Sequence, residues 1–294
     1  DNKEPDLVEA DNYLHIHSCT FSRCLFERAL AGQFDFLDGY ISCSTCDGMR
    51  HLASNWQHYL KVPLIYIMDV PWNLNERGRL FFLRELQELK KVLEDKFGVQ
   101  ITAGKLQKSI EVYNYTRELF QNINELRKAE RPPISGAEMM EIYNAAVRMP
   151  REMFNELLSL LLREIREAGQ NSSSIAEPLE RRTRILLSGS ILNNIEFIEG
   201  IENMGAVVVA DGICTGSRYS WGTVEMDSLN PEEALSKYYF YKFPCPRMVP
   251  GTRRYDLLLD MIKQYRVEGV ILEVIRFCAP HLYDQFRFRK RLEA

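Results

Sequence analysis

Seven cysteines in a chain of 294 residues are the side chains best equipped for chemistry. The number is odd and the sequence opens Asp1-Asn2-Lys3-Glu4 with no secretory signal, so a disulfide framework is not the expected use. Burial, metal binding and redox chemistry remain, and the blandest of these treats free Cys as a small hydrophobe. Placement argues for ligation instead. Cys19, Cys46 and Cys278 each follow a predicted strand and open a predicted helix, and Cys214 follows another strand just before Thr215-Gly216-Ser217. Strand carboxyl ends are where open α/β sheets bind ligands. Helix N-termini add free N–H groups and partial positive charge, which favour thiolates and anionic clusters. Burial alone would place cysteines in strand interiors.

Spacing leaves the cofactor open. Cys43-x-x-Cys46 has the gap used by zinc sites, redox pairs and iron–sulfur clusters. Zinc usually needs a second close pair, for which Cys19 and Cys24 are a loose candidate, and a thioredoxin-like pair has no use for Cys278. Single ligands scattered over two domains suit an iron–sulfur cluster between domains. Around them, His281, Glu27 and Tyr219 are candidate proton donors, although Glu27, like Glu273, reads equally as a solvated or ion-paired residue. Arg218, Tyr219 and Trp221 give the loop after Cys214 a cation and two aromatics. No G-x-x-x-x-G-K-[ST], H-E-x-x-H or G-x-S-x-G occurs, so P-loop hydrolysis of ATP is not expected of this chain.

The elements that must position these residues alternate at both ends of the chain. Tyr13–His17, Phe36–Ser42 and Pro63–Asp69 read as strands, with helices from Cys19 to Ala31 and from His51 to Tyr59. From Asn75 to Ala168 the apolar residues recur at helical period, and Gln170–Ser174 reads as an exposed loop. Strands then return at Arg184–Gly189, Ala206–Asp211 and Gly269–Phe277. Helices are expected at Asn194–Met204, after Asn230-Pro231, at Tyr255–Tyr265 and near Pro280. This pattern predicts an α/β fold: two Rossmann-like parallel-sheet units at 1–73 and 179–294, joined by a mostly helical segment at 74–178. The last helix stops at Arg291-Leu292-Glu293-Ala294 without a following strand and the chain does not begin with Met, which reads as a fragment of a longer protein.

Composition narrows the function classes. Hydrophobic residues make up 46% and charged residues 27%, a globular balance that excludes bulk disorder. The net charge of −4 has no basic stripe, so neither nucleic acid nor an anionic membrane is an expected partner. No apolar run approaches the ~20 residues of a spanning helix, and a cytoplasmic protein is expected.

Ser18-Cys19-Thr20-Phe21-Ser22-Arg23, Leu37-Asp38-Gly39-Tyr40-Ile41, Thr45-Cys46-Asp47-Gly48-Met49-Arg50 and Asn55-Trp56 resemble the 2-hydroxyacyl-CoA dehydratase and benzoyl-CoA reductase family. Asp211–Tyr219, Pro244-Cys245-Pro246 and Phe277-Cys278-Ala279-Pro280-His281 resemble its second half. The likeness runs over residues 10–294 and is weakest in the helical middle. It implies an oxygen-sensitive iron–sulfur subunit, paired with a related second subunit, with ferredoxin as electron source. ATP enters only through a separate iron–sulfur activator that hydrolyses it. The cubane ligands carried over from the family fall on Cys19, Cys46 and Cys278. Cys24, Cys43, Cys214 and Cys245 are a reserve that would serve a double-cubane cluster (8Fe–9S) rather than a single 4Fe–4S cube. The motif set looks most like a subunit of ATP-dependent benzoyl-CoA reductase, an enzyme of anaerobic aromatic degradation that reduces the ring of an aromatic acyl-CoA to a dienoyl-CoA. A 2-hydroxyacyl-CoA dehydratase subunit, a double-cubane reductase of small molecules, a non-catalytic cluster-carrying partner and a zinc-structural protein are the alternatives.

Overall fold

The computed structural model describes residues 6–171, 182–226 and 230–293. Among them are ten α-helices and two parallel sheets, the α/β class expected. The chain divides into two compact units, each gathered from separated stretches: Asp1–Ala103, Met226–Gly251 and Val274–Lys290 form the first, Gly104–Glu225, Thr252–Glu273 and Arg291–Ala294 the second.

In the first unit, strands β1 (Tyr40–Cys43) and β2 (Ile65–Met68) pair in parallel, Tyr40 opposite Ile65 and Cys43 opposite Met68. Helices α1 (Thr20–Leu30) and α2 (Asp47–Tyr59) bury Phe26, Ala29, Leu52 and Trp56 in one cluster. The Trp56 ring stacks on Tyr40 at 4.2 Å between centroids, a contact worth roughly 1 kcal/mol beyond its area. Helix α3 (Glu76–Phe97) starts where the Asn75 side chain accepts from the Gly78 amide at 2.9 Å, and stops at Gly98 in the left-handed conformation. It packs on α8 (Pro231–Tyr241), where Lys90 pairs with Glu232 at 2.8 Å. A Cβ on Gly78 would meet the Asn73 carbonyl and the Phe240 ring, so only glycine permits this approach. Helix α10 (Ala279–Leu292) follows Cys278.

The first expected strand does not form. Residues 13–17 are turns after a 3-10 turn at Ala10–Asn12, with the Tyr13 and Leu14 amides bonded locally to the Ala10 carbonyl. The reason is burial: Leu14 is inside but Ile16 is 56% exposed, so the segment has no apolar face to set against a sheet. Cys19 therefore follows a loop, whereas Cys46, Cys214 and Cys278 do come after strands. Helix α2 begins earlier than expected, at Asp47.

In the second unit, β3 (Thr183–Gly189) runs between β4 (Ala206–Gly212) and a shortened β5 (Gly269–Glu273), all parallel. Leu186, Leu187, Val208, Val209 and Ala210 are almost wholly buried, the continuous apolar run of a strand covered on both faces. Around the sheet lie α4 (Ala103–Leu126), α5 (Gly136–Ala146), α6 (Arg151–Asn171), α7 (Ile195–Asn203) and α9 (Thr252–Gln264). Helices α3 to α6 occupy the middle of the chain, divided between the two units after Ala103; α6 continues through Asn171, and the rest of the expected Gln170–Ser174 loop lies outside the described residues.

Three buried charged side chains tie this unit together. Glu202 accepts from the Gly136, Ala137 and Val208 amides at 2.8, 3.3 and 3.1 Å, joining α7, the start of α5 and β4. Arg127 donates to the Val208 carbonyl at 2.6 Å and lies 4.0 Å from Asp211, which also accepts from the Ser217 amide at 2.6 Å. Burial pushes the Asp211 carboxyl up, against the pull of Arg127 and of the Ser217 amide.

Two outcomes are expected. Glu202→Ala strands three buried amides and should lower stability in urea unfolding by at least about 2 kcal/mol, with the denaturant slope unchanged. Arg127→Met leaves Asp211 buried without its cation and should cost about 3–5 kcal/mol at neutral pH. The folded state holds the Asp211 proton more tightly than the unfolded chain does. Its stabilising contribution is therefore complete below the unfolded value of ~3.9 and lost as pH rises through the folded one. The Arg127→Met deficit should therefore shrink as the urea titration is repeated from pH 7 toward pH 5.

Candidate functional site: a thiol cluster at two helix N-termini

Cys19 and Cys46 occupy the N-cap positions of α1 and α2, both with extended backbone. The Cys19 carbonyl accepts the Arg23 amide at 3.2 Å and the Ser22 hydroxyl at 2.9 Å, and the Cys46 carbonyl accepts the Arg50 amide at 3.0 Å. The thiols are thereby set at the positive ends of two helices. Because the helices pack through Phe26, Leu52 and Trp56, their starts open onto one spot. A Cβ on Gly48 would lie 3.9 Å from each of the two sulfurs and 3.8 Å from Ser22 Oγ.

A third thiol comes from a distant stretch. Cys245-Pro246-Arg247-Met248 is a β-turn, closed by the Met248 amide on the Cys245 carbonyl at 2.9 Å with Pro at its second position. It is pinned beside Trp72 and Leu74, since the Val249 amide donates to the Trp72 carbonyl and the Leu74 amide to the Val249 carbonyl, each at 2.8 Å. Cys245 and Cys43, the last residue of β1, pack together against Met68, Phe82, Phe240 and Met248. Between these elements is a cavity of about 350 Å³, lined among others by Cys46, Arg50, Asp69, Trp72, Phe81 and Arg247.

Cys278 caps the start of α10: its amide donates to the Ile275 carbonyl at 3.0 Å and its carbonyl accepts the Leu282 amide at 2.9 Å. The residue before it, Phe277, has φ of 68°, a strained conformation for a side chain of this size. The Phe277 ring lies 4.9 Å from that of His17, two residues before Cys19, so the segments bearing Cys278 and Cys19 meet.

Burial pushes the Cys46 thiol up, and charge on Cys19 and Cys245 pushes it the same way, while the Gly48 and Met49 amides pull it down. The Cys43 thiol is raised by burial alone. A bound metal would reverse this balance, because it binds the thiolate. Among the described residues, no three His, Cys, Asp or Glu side chains are gathered tightly enough to hold a single metal ion. Cys19 and Cys46 nevertheless bring two thiols together at helix N-termini, one of them in the cavity wall, a chemistry that fits an iron–sulfur cluster with its ligands spread over several irons.

Glu27 accepts the Glu9 and Ala10 amides at 3.0 and 2.7 Å and so holds the 3-10 turn. His281 is buried in the first turn of α10, and Cys24 lies within α1. Cys214 and Tyr219 belong to the second unit. There Arg218 donates to the Cys214 sulfur at 3.1 Å and Arg151 to the Tyr219 hydroxyl at 2.6 Å. Glu273 accepts from the Ser190 hydroxyl at 3.3 Å, and burial pushes its carboxyl up. Sequence reasoning missed Trp72 and Arg247. Pro246, which turns the chain between Cys245 and Arg247, was the signal that could have found the second.

Comparison with known proteins matches the chain along its whole length. It is 26% identical over 293 residues to a benzoyl-CoA reductase subunit of Thauera aromatica, covering 95% of this chain and 72% of that protein. It is 23% identical to the (R)-phenyllactyl-CoA dehydratase beta subunit of Clostridium sporogenes, covering 98% and 75%. It is 24% identical to the beta subunit of (R)-2-hydroxyglutaryl-CoA dehydratase of Acidaminococcus fermentans, covering 98% and 76%. The family model for the 2-hydroxyglutaryl-CoA dehydratase D-component matches residues 2–294, and with the motifs around Cys19, Cys46 and Cys278 in their expected order, the chain belongs to that family.

Proposed function

We propose that this chain is the cluster-carrying subunit of an acyl-CoA-processing enzyme, of the benzoyl-CoA reductase type, working beside a related subunit. The observation that carries this reading is the meeting of the Cys19 and Cys46 sulfurs at Gly48, next to a cavity wide enough to admit part of a ligand. Cys19, Cys46 and Cys278 would hold an iron–sulfur cluster, which when bound supplies low-potential one-electron chemistry. Cys245 and Cys43 stand nearest in reserve, whether the cluster is a single or a double cube. The helix N-termini stabilise the thiolates, and the apolar walls around Met68 and Phe82 exclude water behind them. Electrons would arrive from ferredoxin through an ATP-hydrolysing activator. In ring reduction, two electrons and two protons add to the aromatic acyl group. His281, Glu27 and Tyr219 are the candidate proton donors, and of these His281 follows a ligand most closely in the chain.

A second reading has support of its own. The (R)-phenyllactyl-CoA and (R)-2-hydroxyglutaryl-CoA dehydratase beta subunits match this chain at 23% and 24% identity, close to the 26% of the reductase protein. In that reading the enzyme removes water from a 2-hydroxyacyl-CoA with no net consumption of electrons.

One preparation tests both. The chain, co-produced with a related family subunit and purified without air, should carry about four irons and four sulfides per chain for one cubane, or about twice that for a double one. Cys46→Ala should lose most of both while keeping its circular dichroism. With an activator and reductant, stoichiometric consumption of electrons with benzoyl-CoA supports the reductase. Dehydration of (R)-phenyllactyl-CoA with only catalytic electrons supports the second reading, and zinc without sulfide overturns both.

A further inference from the structure

Arg247 stands out in the cavity wall as a cation that no carboxylate pairs directly among the described residues. The β-turn at Cys245 aims its guanidinium at Trp72, 4.7 Å from the ring centroid. Among the described residues it makes neither a hydrogen bond nor an ion pair. Asp47, which lines the same cavity, is already 4.0 Å from Arg50. Stacking on an aromatic ring holds the guanidinium plane but neutralises little of its charge. A half-buried cation needs an anion, and burial does work against the charge on Arg247. Cys46 lines the same cavity as Arg247, and Cys245 lies two residues before it in the turn. Arg247 is thus fixed on two sides, by the turn and by Trp72, in the wall of the cavity that Cys46 also lines.

We propose that Arg247 is the counter-charge of the thiolate-held cluster, a positioning residue that raises the cluster's reduction potential. The assignment rests on the reading above that the chain holds a cluster at Cys46. One-electron reduction adds a negative charge, and a fixed cation beside the sulfurs stabilises the reduced state over the oxidised one. Partial exclusion of water strengthens the effect, because the same charge in bulk solvent would be screened. Trp72 matters as the surface that keeps a long, flexible side chain in place.

The test is a mediator titration of the air-free complex, followed by electron paramagnetic resonance, on the wild type, Arg247→Gln and Arg247→Lys. Arg247→Gln should titrate at a more negative potential than the wild type, and Arg247→Lys should recover most of the difference. Equal potentials in the wild type and Arg247→Gln overturn the proposal, and so does a shift that lysine fails to reverse. Iron content separates charge from packing where a variant loses the cluster. Loss in Arg247→Gln with retention in Arg247→Lys supports the proposal, and loss in both assigns Arg247 to packing and overturns it. A wild-type complex without iron and sulfide overturns this proposal together with the proposed function, whereas unchanged potentials in an iron-bearing complex overturn this proposal alone.

Discussion

The packing of α1 on α2 around Trp56 decides where two sulfurs meet. Each helix contributes its apolar side to the cluster of Phe26, Ala29, Leu52 and Trp56, and each starts at a cysteine. A helix start is a fixed point: the cap residue leaves the helical conformation, and the free amides behind it point at whatever the cap presents. Once the core sets how the two rods lie, the cap positions follow without further choice. Gly48 completes the arrangement by adding no bulk between the sulfurs. The rest of the first unit builds outward from this pair. The two-stranded sheet places Cys43 and Met68, the α3–α8 pair adds Phe82 and Phe240 to the wall behind them, and the Cys245 turn brings Arg247 to the cavity.

The second unit solves a different problem with the same means. Its strands are largely apolar, and the charged groups buried against them are bound to backbone amides and carbonyls. Glu202 serves three amides from three segments, and Asp211 is held between Arg127 and the Ser217 amide. Arg184 donates to the Tyr265 and Ala129 carbonyls at 2.8 and 2.9 Å, tying β3 to the ends of two helical stretches. Buried charges of this kind add little net stability when paired and cost much when broken, so they select one arrangement of helices over the sheet.

Much of this was legible in the sequence because the signals were local. Asn75, Ser135 and Asn230 cap helices as short polar side chains should, and the runs Ile185–Leu187 and Val207–Ala210 could only be buried strands. Residues 13–17 misled because alternating His and Ile imitate a strand, while the outcome depended on Ile16 having nothing to pack against. The site was legible in its residue types. That Cys19 and Cys46 cap helices could be read from one stretch each. That their sulfurs share a neighbour in Gly48, or that Arg247 lies over Trp72, could not, because both depend on residues far apart in the chain meeting through the core. That the Glu27 carboxylate holds two amides of the 3-10 turn was likewise not legible, because its partners lie seventeen and eighteen residues away.

The first unit is stitched from three stretches of chain, and the cysteines at and near its cavity are shared among them: Cys19, Cys43 and Cys46 from the first, Cys245 from the second, Cys278 from the third. Contacts of such long range form late, since the intervening loop must close before they repay its entropy. A ribosome that has delivered only the first of these stretches has delivered three of these five thiols and no far wall. On the proposed reading, a polypeptide interrupted after α9 would lack Cys278 and offer an incomplete thiol set, so a cluster could be completed only after that point in the chain has been made.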